Sequence, residues 1–169
     1  MGEMIEWYKD DEIGIFFDRV PEVTIRYATP TSSEEEIKAI NKKPFINLKD
    51  LEVTLIDYIA DEEYKFEIFE GYTWDGASIP RLFWRLIGAK TDPRFLIPSM
   101  IHDVLCENHD YVNSDRYFAT TVFERLLFVS KVNPLARWTI KHSVDNFQKF
   151  CGWWVCLKNT NISMDYQNL

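Results

Sequence analysis

The chain has 169 residues, 46% of them hydrophobic and 15% aromatic, so it is long and apolar enough for one domain with its own core. A net charge of −8 argues against a general nucleic-acid binder, which must meet phosphates with cations, and disfavours simple docking on anionic lipid. Three cysteines without paired spacing, Cys106, Cys151 and Cys156, argue against a disulfide framework and fit a reducing compartment.

The opening MGEMIEWYKDDEIG has no basic region followed by an apolar run, so no signal peptide is expected. No stretch reaches about 18 uninterrupted apolar residues, so no membrane span is expected. Ile13, Ile15 and Phe17 alternate, then Val23, Ile25 and Tyr27, which predicts two strands over 13–28 broken at Pro21. Ser32 or Ser33 caps a short helix, SEEEIKAIN, whose first-turn glutamates meet the positive helix end. Leu51, Val53 and Leu55 alternate, as do Tyr64, Phe66 and Ile68, predicting a hairpin turning through Ala60, Asp61 and Glu62.

The character changes after Gly71. Residues 79–87 predict a short aromatic helix opened by Pro80 and closed by Gly88. Pro98 is expected to begin the helix that holds His102, with Ile101, His102 and Leu105 on one face. Asn113 or Ser114 caps the next helix, whose apolar stripe is Phe118, Val122, Leu126 and Val129. Asn133-Pro134 starts the last one, with Trp138, His142, Phe147, Phe150 and Trp154 near one side. The tail from Lys158 reads as polar and loose. The expected architecture is a single α+β domain over 1–169. It has an N-terminal antiparallel β region (1–72), a mainly helical region of about four helices (73–157) and a tail (158–169).

The residues with chemistry lie between 72 and 118. Asp75-Gly76 is an Asp-Gly turn, His102-Asp103 is an adjacent pair on a helix, and Asp115 opens the following helix. Neighbours on a helix point about 100° apart, so His102 and Asp103 serve different tasks. Asp115, three before Phe118, falls on the inward stripe, where a carboxylate can hold the free nitrogen of His102 and fix its tautomer. Carboxylates plus free turn carbonyls are hard oxygen donors that suit calcium or another divalent cation such as magnesium better than zinc. The expected set is therefore His102 and Asp115 as catalytic residues and Asp75 and Asp103 as metal ligands. Gly76, Ser78 and Arg81 would support them. Each part also has a plainer reading. Asp-Gly is common turn chemistry, a buried His bonded to an Asp is often structural, and Asp115 can be a helix-start carboxylate. No His precedes His102, which excludes a His-Asp phosphohydrolase with an upstream His. Ser78 lacks the flanks of a nucleophile elbow, and nothing marks Cys106 as activated.

At these residues the chain resembles a family of small phage- and prophage-encoded proteins of unknown function. The shared segments stand here as TWDGASIPRLFW (73–84), IHDVLC (101–106) and SDRYF (114–118), within a resemblance over roughly 65–155. Trp74 stands where the family has Thr, and Cys106 where it has an aromatic residue. The order Asp75, His102, Asp103, Asp115 is also similar to that in secreted bacterial and fungal phospholipases. Those enzymes have an Asp-Gly-Cys-Ser calcium loop, a helix with His-Asp-x-x-Tyr, and a second-helix Asp that orients the His. This likeness implies a His that draws a proton from water and a calcium ion that polarises the ester carbonyl. The disulfides of those enzymes are absent and the loop between the helices is shorter.

Three functions from different classes follow. The first is a phage-encoded protein with a phospholipase-like site acting as a metal-dependent ester hydrolase. The second is a non-enzymatic virion component of the tail or head–tail junction, whose partners are other virion proteins. The third is an acidic inhibitor of a host protein. All three imply the host cytoplasm or the virion, and the oligomeric state stays open.

Overall fold

The computed structural model describes residues 3–76, 91–109, 116–151 and 162–168. The order is β1 (Ile5–Lys9), β2 (Ile13–Phe17), β3 (Val23–Ile25), α1 (Glu34–Lys42), β4 (Phe45–Asn47), β5 (Leu51–Asp57), β6 (Glu62–Ile68) and β7 (Thr73–Trp74). Then come α2 (Pro93–Glu107), α3 (Arg116–Val129), α4 (Pro134–Cys151) and β8 (Ile162–Asn168). This is the α+β arrangement that the patterning predicts, antiparallel strands followed by helices. Among the described residues no helix is long and apolar enough to cross a membrane.

The larger sheet runs β1-β2-β5-β6-β8 and the smaller β3-β4-β7, every pairing antiparallel. Alternation decides which face is inside. Leu51, Val53 and Leu55 of β5 are buried beside Tyr64, Phe66 and Ile68 of β6, while Glu52 and Lys65 between them are exposed. The β5–β6 hairpin forms in the expected place. Asp57 accepts the backbone N–H groups of Ile59 and Ala60, and Asp61 takes a left-handed φ of 56° to close the turn. Helix α1 is capped as expected. The Ser33 hydroxyl accepts from the Glu36 N–H and the Glu36 carboxylate accepts from the Ser33 N–H.

Three expectations need correction. The helix bearing His102 begins at Pro93, not Pro98. Asp92 accepts the Arg94 N–H as its cap, Pro93 sits where a missing N–H costs nothing, and Pro98 lies in the second turn. The last helix buries Ala136, Ile140, Val144 and Gln148, a row at spacings of four, whereas Trp138 is 61% exposed and His142 also faces solvent. The polar tail is not loose: Ile162–Asn168 pairs with all of β6. The expected 79–87 helix, Ser78, Arg81 and Asp115 lie outside the described residues.

Helix α3 joins two clusters. Its Phe118, Ala119, Val122 and Leu126 pack with the inner face of β2, β5 and β6 and with α2. Its Phe123 and Leu127 pack with Phe95 of α2 and with Val132, Ala136, Ile140 and Val144 at α4. Helix α2 is thus enclosed, and its polar side chains must find partners inside the protein.

Candidate functional site

Ser99, Asp103 and Glu107 stand one turn apart on α2, so they form one polar ridge, and the ridge faces residues 72–75. The Trp74 indole Nε1 donates to Ser99 Oγ at 3.0 Å, and Ser99 Oγ donates to the Leu96 carbonyl at 3.1 Å. Asp103 shares a side-chain hydrogen bond with Asp75. Glu107 accepts from the Tyr72 hydroxyl at 3.1 Å and from Lys43 Nζ at 3.0 Å. The opposing wall is rigid because the Tyr72 and Trp74 rings stack, 5.9 Å apart and 12° from parallel. Gly76 follows with a φ of 83°, a left-handed value that a side chain would strain, which is why Asp75 is followed by glycine.

Two carboxyl groups that hydrogen-bond each other need a proton between them. Burial, then the Asp75 charge and hydrogen bond, then Glu107, push the Asp103 pKa well above the usual carboxylate range, with Lys43 opposing. The Asp103 side chain is still 19% exposed and Asp75 is open to solvent, so the pair can be reached from outside. Burial, then Asp103 and Glu107, raise the Tyr72 hydroxyl as well, so it stays a neutral donor.

His102 lies on the neighbouring face of α2. Its ring is buried against Phe123, centroids 4.9 Å apart. Its Nε2 is 3.2 Å from Gln148 Nε2 of α4. Because an amide nitrogen donates, His102 Nε2 accepts and the ring proton falls on Nδ1. Gln148 in turn accepts from the Thr120 hydroxyl at 3.4 Å. The Cys106 sulfur is 3.7 Å from both ring nitrogens, so it is directed at neither lone pair. His102 Nδ1 is 3.8 Å from Asp103 Oδ1, beyond a direct hydrogen bond.

Asp75 and Asp103 are thus brought together, His102 adjoins them on the next face, and Asp115, Ser78 and Arg81 are outside the described residues. Sequence reading missed Ser99, Glu107, Tyr72, Lys43 and Gln148. The spacing 99, 103, 107 was the available signal for two of them, since one helical face must hold all three. Lys43 and Gln148 arrive from distant elements and leave no local signal. Among the described residues no group of three or more His, Cys, Asp or Glu side chains is placed to hold a metal ion.

Residues 53–144, just over half of the chain, match the model of a family described as a protein of unknown function, DUF1353. The uncharacterized protein y4jT of Sinorhizobium fredii (strain NBRC 101917 / NGR234) is 38% identical over 53 residues, which is 31% of this chain and 16% of that protein. No solved structure matches the chain.

Proposed function

The chain belongs to the DUF1353 family, whose function is unknown, and from that premise we propose that it is a phage-encoded hydrolase of esters built around Asp75, Asp103 and His102. The observation that supports this reading is the pairing of Asp103, in the enclosed ridge of α2, with Asp75 of the neighbouring turn. Two adjoining carboxyl groups, one of them held towards its neutral form by burial, are oxygen donors that a hard divalent cation, calcium above all, would deprotonate and satisfy. Asp75 and Asp103 would hold the ion, with turn carbonyls and water completing a shell of six to eight oxygens. Bound there, it would polarise the ester carbonyl and stabilise the developing oxyanion. With the ring proton on Nδ1 only Nε2 can act as the base, so the Gln148 amide would give way to the attacking water, whose proton His102 would take and return to the leaving alcohol. Before water enters, Gln148 fixes the His102 tautomer by donating to Nε2. Asp115, at the entry of α3, is the proposed orienter of the ring.

A second reading, a non-enzymatic virion component whose polar ridge staples α2 to β7, has its own support. Ser99 and Glu107 already bond Trp74, Tyr72 and Lys43, and His102 is 92% covered (8% exposed). Its partners would be other virion proteins, in the tail or at the head–tail junction, and either reading puts the chain in the host cytoplasm or the virion.

Thermal unfolding with calcium and with a chelator, beside hydrolysis of an ester lipid, separates them. Calcium should raise the Tm of the wild type and not of Asp103→Asn, since a ligand stabilises the state that binds it. His102→Asn should keep the calcium shift while hydrolysis falls at least about a hundredfold. A wild type with neither a calcium shift nor hydrolysis would overturn the enzyme and leave the virion component.

A further inference from the structure

Cys106 follows His102 by one turn of α2, on the same face. It is half-buried, whereas His102 is 8% exposed, so the thiol is the more accessible of the two. Two polar side chains, each more than nine-tenths buried, are turned to its sulfur. His102 brings both ring nitrogens to 3.7 Å, and Gln148 Nε2 donates to the sulfur at 3.5 Å. The same amide is 3.2 Å from His102 Nε2. An amide NH2 has two N–H groups, so one serves the ring and the other the sulfur. A nucleophile, a base within its reach and a third group that orients the base are the parts of a nucleophilic site. The calcium-dependent hydrolase uses His102 and gives Cys106 no task.

We propose that Cys106 is the nucleophile of an acyl-transfer site, with His102 as its base, that takes activated acyl esters or thioesters and needs no metal. The site shares His102 and Gln148 with the hydrolase proposed above and uses neither Asp75 nor Asp103. At rest the sulfur faces neither lone pair, and catalytic hydrogen bonds are often loose before substrate binds. A turn of the Cys106 side chain towards Nε2, the nitrogen without a proton, completes the contact. Nε2 then takes the thiol proton as the sulfur attacks the acyl carbon. Once protonated, Nε2 no longer accepts from Gln148, and that amide is released to the sulfur as charge develops there. The S–C bond forms and the C–O bond, or C–S bond of a thioester, breaks. The imidazolium returns its proton to the leaving alcohol or thiol. Water then attacks the Cys106 thioester: its oxygen bonds the acyl carbon, the C–S bond breaks, and its proton passes through His102 to the sulfur as the carboxylic acid leaves.

The test is p-nitrophenyl acetate added to the full chain with a chelator present, following nitrophenolate release and the intact mass. The wild type should gain one acetyl group, mapped to Cys106. The native chain should acquire it at least about a hundredfold faster than the same thiol in the urea-unfolded chain, the usual worth of a positioned base. His102→Asn, with an unchanged circular dichroism spectrum, should fall towards the unfolded rate. Cys106→Ala should lose the burst of nitrophenolate and keep any calcium-dependent hydrolysis, so the two activities stand or fall separately. Acetyl on Cys151, Cys156 or lysine in place of Cys106 would overturn the proposal. So would a native Cys106 acetylated no faster than in the unfolded chain, a comparison that needs no variant to fold, or a His102→Asn chain as fast as the wild type.

Discussion

Replacing Asp10 by Asn should remove about 2 kcal/mol of stability at neutral pH and almost none near pH 2. Asp10 sits at the turn between β1 and β2. One carboxylate oxygen accepts the backbone N–H groups of Glu12 and Ile13 at 2.8 and 2.7 Å. The other accepts from the Tyr8 hydroxyl at 2.8 Å and Arg125 Nε at 2.9 Å. Burial alone would raise its pKa, but these four donors outweigh it and hold the group at about 2, against an ordinary 3.8. At about 1.4 kcal/mol for each factor of ten in acidity, that difference is worth about 2 kcal/mol. The side chain is 27% exposed, so solvent screens it only in part. The unfolded chain takes up the proton at higher pH than the folded one. The stabilisation is therefore complete above about 4 and is lost as pH falls from there through about 2. Asn accepts the two backbone N–H groups through its Oδ1, but its Nδ2 is a donor that cannot accept from Tyr8 or Arg125, much as the hydroxyl of a protonated carboxyl cannot, so the difference between the two proteins reports the ionised carboxylate with those two bonds. Urea unfolding of both, from neutral pH down to about pH 2, should show curves that converge in acid. A difference that is flat with pH, or that widens in acid, would refute the reasoning.

Phe118→Ala should cost about 3–5 kcal/mol, because the ring is 4% exposed and packs 5.1 Å from Tyr64, joining α3 to the larger sheet. A loss below about 1 kcal/mol in the same urea titration would remove Phe118 from the core. Ser99→Ala should cost about 1–3 kcal/mol, because the buried Trp74 indole loses its acceptor. Trp74→Phe should cost less in hydrogen bonding than Ser99→Ala, since Ser99 keeps the Leu96 carbonyl. If Ser99→Ala proves neutral in chemical unfolding, the Ser99 hydroxyl is not what satisfies the indole.

Local pattern made part of the fold legible. The β5–β6 hairpin, the Ser33 cap and the Asn133-Pro134 helix start each depend on residues within a few positions of one another. Four strands left no such pattern. β4 and β7 are three and two residues long and exist because Phe45 pairs with Trp74. β1 and β8 are the outer strands of the larger sheet, and they form on β2 and β6. Trp138 misled because size was taken for burial. Its position on α4, two residues from buried Ala136 and Ile140, turns it to the opposite side of the helix.

The sequence by itself determined the α+β class, the inner face of each long strand, and the residue types that could do chemistry, Asp75, His102 and Asp103. Periodicity and capping act over one or two turns and so are written in the local order of residues. Tertiary structure alone decided what those side chains meet. The 100° between His102 and Asp103 sends one towards Gln148 and Phe123 and the other towards Asp75. Which group stands at the end of each direction depends on how α2 lies against β7, α3 and α4. That placement is fixed by the packing of the two apolar clusters, a property of the whole chain and of no segment within it.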